Sequence, residues 1–141
     1  MLYYVMDFAV KIGSTKERKI RINPAQTTNF LWEGENVLST PSLIAEMEET
    51  CRLLLKEQFI SDPNCDSVGT LVEIKHIAAT PVGAEVLLKA KVVSANGRRT
   101  MFEVQAFDDL EKIGEGRHER YTIDIHEFKD KFMMKRNKLG I

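Results

Sequence analysis

The chain has 141 residues, 43% hydrophobic and 29% charged, with 20 Lys and Arg set against 21 Asp and Glu for a net charge of -1. That length holds one core and not two, so residues 1–141 are taken as a single domain. The composition excludes a disordered tail, and the balanced charge excludes the concentrated basic surface that nucleic acid binding requires.

The opening segment is apolar, but it has no basic start, Asp7 interrupts it and no small-residue cleavage site follows, so it is not read as an export signal. No uncharged run approaches the roughly 20 residues of a membrane span. The two cysteines, Cys51 and Cys65, lack metal-ligand spacing and are read as free thiols in a reducing compartment. These features predict a cytoplasmic protein with no membrane partner, no metal and no cofactor.

Residues 3–12 and 17–22 alternate loosely enough for strand, with a polar turn at 13–16. Asn23 to Glu35 reads as loop around one apolar island, Phe30, Leu31 and Trp32. Thr40 followed by Pro41 suits a helix N-cap and first turn, and the spacing predicts a helix to about Phe59. Leu43, Ile44, Met47, Cys51, Leu54 and Leu55 then fall on one arc, and Glu48 lies about 20° from Leu55, at the edge of that arc.

Four strands are expected next, over 69–77, 84–94, 100–107 and 117–125. Asn96-Gly97 between the second and third predicts a type I′ hairpin. A charged amphipathic segment, 126–138, closes the chain. One apolar-faced helix and a four-stranded antiparallel meander predict an α+β fold of the hot-dog kind, a long central helix wrapped by an antiparallel sheet. Open strand edges and one uncovered sheet face predict a homodimer or a dimer of dimers.

Three side chains stand out chemically, and each has a plain structural alternative. Glu48, at a core boundary, would be desolvated and suited to proton transfer, or would simply reach solvent or a strand cation. His76, near the end of a strand and on the face of Val72 and Ile74, has the chemistry of a general base, or is a satisfied core histidine. His118 and His126 are the other histidine candidates. Thr40 is first a helix cap. On one helix it would sit about 12 Å from Glu48, although Pro41 is expected to push it out of the α region and allow the hydroxyl to fold back.

Residues 37–51 (VLSTPSLIAEMEETC), 67–70 (SVGT), 76–83 (HIAATPVG) and 113–120 (IGEGRHER) occur in that order. Together they resemble successive blocks of the fluoroacetyl-CoA thioesterase family of hot-dog proteins, a likeness over roughly residues 10–130. The resemblance implies acyl-CoA as substrate, Thr40, Glu48 and His76 as catalytic residues, Gly69 lining the acyl site and Arg120 near the substrate. It implies water oriented and deprotonated by His76 and Glu48, with Thr40 and the Gly69 amide stabilising the oxyanion, or attack by Glu48 to form an anhydride.

The interval before Thr40 is shorter than the family's phenylalanine-rich lid, so Trp32 is expected to gate the pocket and fluoroacetate selectivity is not expected. Lys75, Arg98 and Arg99 are candidate partners for the CoA phosphates. A noncatalytic acyl-CoA-binding module and a hydroxyacyl-thioester dehydratase are the alternative readings.

Overall fold

The computed structural model describes residues 9–141. In chain order it contains β1 (Thr15–Arg21), a 3-10 turn (Pro24–Gln26), α1 (Thr40–Gln58), β2 (Cys65–His76), β3 (Glu85–Asn96), β4 (Arg99–Phe107), β5 (Lys112–Asp124) and α2 (Ile125–Leu139). The expected strand over 3–12 lies mostly outside the described residues, and 9–12 are not in a strand.

Helix α1 buries Leu43, Met47, Thr50, Cys51, Leu54 and Leu55 against the sheet. The opposing inner face is Val86, Leu88, Ala90 and Val92 of β3 with Phe102, Val104 and Ala106 of β4, all buried. Alternation drives this, because Leu88 pairs with Ala106, Ala90 with Val104 and Val92 with Phe102, and opposed residues share a face. A helix wrapped by an antiparallel sheet results, the α+β hot-dog arrangement anticipated from the sequence.

The strand order differs from the expected meander. It is β1-β3-β4-β5-β2, so β2 pairs with β5 and, among the described residues, nothing pairs with its other edge. Residues 77–84 carry the chain from β2 across to β3 and are tied down by Ile77 N–H to Ile113 C=O, Leu38 N–H to Thr80 C=O and Gly83 N–H to Ile22 C=O. The hairpin also differs. Asn96 pairs with Arg99, so the two central residues are Gly97 and Arg98, and Gly97 alone takes positive φ, 60°. That is the Gly-first pattern of a type II′ turn, one residue further on than expected.

The outer face is polar by the same alternation. Lys91, Glu103, Arg117 and Glu73 lie abreast across β3, β4, β5 and β2 as a row of alternating sign. Exposed apolar side chains lie at the β2 edge (Val72 and Ile77), in Phe30, Leu31 and Trp32, and along α2, where Phe128, Phe132 and Met134 face solvent.

Strand β5 begins earlier than expected and runs through two glycines. A Cβ on Gly114 would lie 2.8 Å from Leu43 Cδ2, so its absence lets the first turns of α1 settle on the sheet. A Cβ on Gly116 would lie 1.9 Å from the Glu73 carbonyl oxygen and 2.9 Å from Ile74 Cα, both backbone atoms of β2. Gly116→Ala should therefore lower unfolding stability by about 1–3 kcal/mol or more through overpacking, measured by urea denaturation. An unchanged midpoint would show that β2 does not depend on this close approach.

Candidate active site

The N-terminus of α1 is capped by Ser39, not by Thr40. Ser39 is extended (φ -75°, ψ 150°) and its Oγ accepts the Ser42 N–H. Thr40 is the first helical residue, contrary to the expectation that Pro41 would push it out of the α region; the residue displaced to extended backbone is Ser39. Relieved of capping, the Thr40 hydroxyl is free for another partner, and its Oγ1 lies 2.9 Å from His76 Nδ1.

His76 is the last residue of β2 and sits opposite Gly114. Burial pushes its imidazole below the ordinary 6.5, opposed more weakly by the Ala78 backbone. The Ala78 backbone lies close enough to favour the charged ring, but Nε2 is shielded from solvent and, among the described residues, has no hydrogen bond of ordinary geometry. Neutral His76 thus keeps a ring nitrogen without a hydrogen-bond partner among the described residues. The pair borders a hollow of about 330 Å³ lined also by Thr28, Phe30, Leu31 and Val37. Trp32 is not among the lining residues; its Nε1–H donates to the Glu35 carbonyl. Asn36, which the sequence reading passed over, organises this loop by accepting the Leu31 N–H and donating to the Trp32 and Gly34 carbonyls.

Glu48 belongs to a second cluster. It is half-buried beside Gly69, where a Cβ would fall 2.9 Å from Glu48 Oε1 and 3.0 Å from His118 Cε1. Arg120 is buried in the same place, donating from Nε to Ser67 Oγ (2.7 Å), from Nη2 to the Ser67 carbonyl (2.6 Å) and from Nη1 to His118 Nε2 (3.1 Å). His118 Nδ1 is 2.7 Å from the Leu71 carbonyl. A carbonyl only accepts and a guanidinium only donates, so the proton is on Nδ1, Nε2 accepts from Arg120 and the ring is neutral. Burial first, and then the Arg120 charge, push the His118 imidazole below its ordinary value. Cys51 lies in the same field, its thiol pushed up to about 12 by burial.

The structure brings Thr40 to His76 and gathers Glu48, Gly69 and Arg120, but the two groups stand apart, Thr40 and Glu48 being eight residues and about 12 Å distant along α1. Ser39, Ser67 and His118 are the participants that sequence reasoning missed or ranked low; a hydroxyl before Pro41 and a histidine two residues before Arg120 were the signals available. Lys75 projects to the outer face, Arg99 pairs with Glu119 at 3.3 Å, and a larger outer-face hollow of about 620 Å³ holds none of the proposed catalytic residues. Among the described residues no group of His, Cys, Asp and Glu is arranged to hold a metal, and no helix is long and apolar enough to cross a membrane.

The model of the fluoroacetyl-CoA-specific thioesterase family matches residues 22–126. The fluoroacetyl-CoA thioesterase of Streptantibioticus cattleyicolor is 29% identical over 137 residues, covering 92% of this chain and 97% of that protein. A solved structure of a fluoroacetyl-CoA thioesterase superposes with a TM-score of 0.82 at 29% identity, covering 90% of this chain and 98% of that one. A thioesterase superfamily member from Thermus thermophilus superposes equally well, with a TM-score of 0.82 over 94% of this chain and 97% of that one; at 21% identity it speaks for the fold alone.

In an imidazole NMR titration, His76 and His118 should both titrate below 6.5. Between those folded values and 6.5 the unfolded chain binds more protons. Stability should therefore be full above the ordinary histidine range and decline as pH falls through it. A histidine titrating above 6.5 at either position would contradict the burial described for it.

Proposed function

The chain belongs to the fluoroacetyl-CoA-specific thioesterase family, and from that membership we propose that it hydrolyses an acyl-CoA thioester to the free acid and CoA. In this reading Thr40, Glu48 and His76 form the catalytic group, with Gly69 and Arg120 at the acyl site. The observation that carries it is the 2.9 Å contact between Thr40 Oγ1 and His76 Nδ1 beside an apolar hollow.

With its proton on Nδ1, the ring donates to Thr40 and leaves the Nε2 lone pair for a water. The Thr40 O–H is then available to the carbonyl oxygen of the thioester. Water attacks the carbonyl carbon as Nε2 takes its proton, Thr40 and the Gly69 amide stabilise the oxyanion, and collapse expels the CoA thiolate, which recovers the proton. A buried, neutral imidazole suits this role, because a base must be deprotonated at working pH.

Glu48 and Gly69 need a route to His76, and the open edge of β2 supplies one. Antiparallel pairing of two β2 edges about a twofold axis between Val72 and Glu73 sets Gly69 of each copy opposite His76 of the other. The Glu48 cluster of one copy then completes the Thr40–His76 pair of its mate, and the exposed apolar edge is covered. The alternating charges of the outer face favour this edge-to-edge dimer over stacking of sheet faces.

Acyl-CoA should release free thiol, where a dehydratase would form an alkene and a binding module would do neither. His76→Ala should lower kcat by about 10²-fold or more. Mixing inactive Glu48→Gln and His76→Ala chains should restore about a quarter of wild-type activity, since half the dimers then carry one intact shared site. No recovery on subunit exchange would place the site within one copy.

Acyl selectivity should follow the residues that line the hollow. Phe30→Ala should raise KM more than Trp32→Ala does, and kcat/KM should vary smoothly over C2 to C8 chains at about 1–3 kcal/mol per methylene. A several-orders preference for fluoroacetyl-CoA over acetyl-CoA would show that selectivity does not depend on the shortened loop.

A further inference from the structure

We propose that His118 and Ser67 are positioning residues that hold the Arg120 guanidinium off the Glu48 carboxylate, leaving that carboxylate beside a buried cation with its oxygens free to bind water. This rests on the reading of Glu48 as a catalytic group given above.

A guanidinium and a carboxylate desolvated together ordinarily form a direct, often bidentate, pair. Here they do not. Arg120 is 5% exposed and His118 1%, and Glu48 is the charge that most favours the Arg120 cation. Among the described residues, however, Glu48 makes neither a hydrogen bond nor an ion pair. The three Arg120 donors that form bonds point elsewhere, two of them to Ser67 and one to His118 Nε2.

The geometry that diverts them is built into β2. The register shift between Gly69 and Leu71 interrupts the ladder, and the Leu71 carbonyl beyond it takes the His118 Nδ1–H. That bond dictates the tautomer and presents the bare Nε2 to Arg120. Gly69 leaves no side chain between His118 and Glu48, so the imidazole edge and the carboxylate face one another across it. The charged and titratable groups around this centre are Glu48, Cys51 and Arg52 of α1, Asp66 of β2 and Glu119 of β5.

The consequence is chemical. A carboxylate locked onto a guanidinium spends its acceptor sites on that pair, whereas one beside a restrained cation keeps those sites and can accept from a water or attack. Arg120 thereby acts through distance, and His118 and Ser67 act through Arg120.

His118→Phe removes the acceptor and should release Arg120 onto Glu48. The expected result is a loss of about ten- to hundredfold in kcat with KM changed by less than about threefold. His118→Gln, which restores an acceptor, should recover most of the rate. Placed on Glu48→Gln, His118→Phe should add no further loss. Ser67→Ala serves as the second variant should His118→Phe not fold, with the same direction of effect, and a crystal structure of either should show a direct Arg120–Glu48 contact.

A folded His118→Phe or Ser67→Ala with wild-type kcat, or one whose loss persists undiminished on Glu48→Gln, overturns the proposal. Full activity in Glu48→Gln overturns the assignment of Glu48 and this proposal with it. An inactive Glu48→Gln beside an unaffected His118→Phe overturns this proposal alone.

Discussion

The seating of α1 on the inner face of the sheet is the constraint on which the rest depends. Leu43, Met47, Cys51, Leu54 and Leu55 meet the alternating apolar residues of β3 and β4, and Gly114 removes the side chain that would lift the first turns away. Removing one such leucine would leave a cavity worth roughly 2–5 kcal/mol. Because Thr40 and Glu48 ride on one rigid helix and His76 and Gly69 on one rigid strand, this packing sets Thr40 against His76 and Glu48 against Gly69 together. Neither contact can be adjusted without disturbing the other.

A single layer of helix on sheet leaves two kinds of surface, and the chain treats them differently. The outer face carries charges of alternating sign across four strands, which keeps it compatible with water. Among the described residues nothing pairs with the outer edge of β2 over its twelve residues, and that edge carries exposed Val72. An edge of that length and character is ordinarily covered. Its midpoint lies between the two halves of the candidate site, so the proposed pairing of two such edges would both bury the edge and join the halves.

Electrostatics in the interior follow from the β2 bulge. It supplies a carbonyl for His118, which orients a neutral imidazole toward Arg120, which in turn tolerates burial because Ser67 and His118 accept its protons and Glu48 balances its charge. Buried ionic groups of this kind cost stability unless every donor is satisfied. Their presence at the edge of the core, beside a glycine with no room for a Cβ, marks a place where packing has yielded to chemistry.

Periodicity alone determined much of this protein. The apolar arc of α1, the inward faces of β3 and β4 and the edge position of Glu48 follow from spacings of 3.6 and 2, and the hairpin between β3 and β4 from Asn96-Gly97, all local properties of the chain. The likeness of four short blocks to a family carried the substrate class and the pairing of Thr40 with His76 in one site. What tertiary structure decided is non-local. Alternation is satisfied by any neighbour, so it did not reveal that β2 lies beside β5. Thr40 reads as the cap from its place before Pro41, and only the seated helix gives that role to Ser39. Gly114 and Gly116 fell outside the expected strand over 117–125, and only the close approach of α1 and β2 explains them. His118 looked no more special than His126, because its importance comes from Arg120, Ser67 and the Leu71 carbonyl converging on it from two strands, and convergence in space leaves no trace in spacing along the chain.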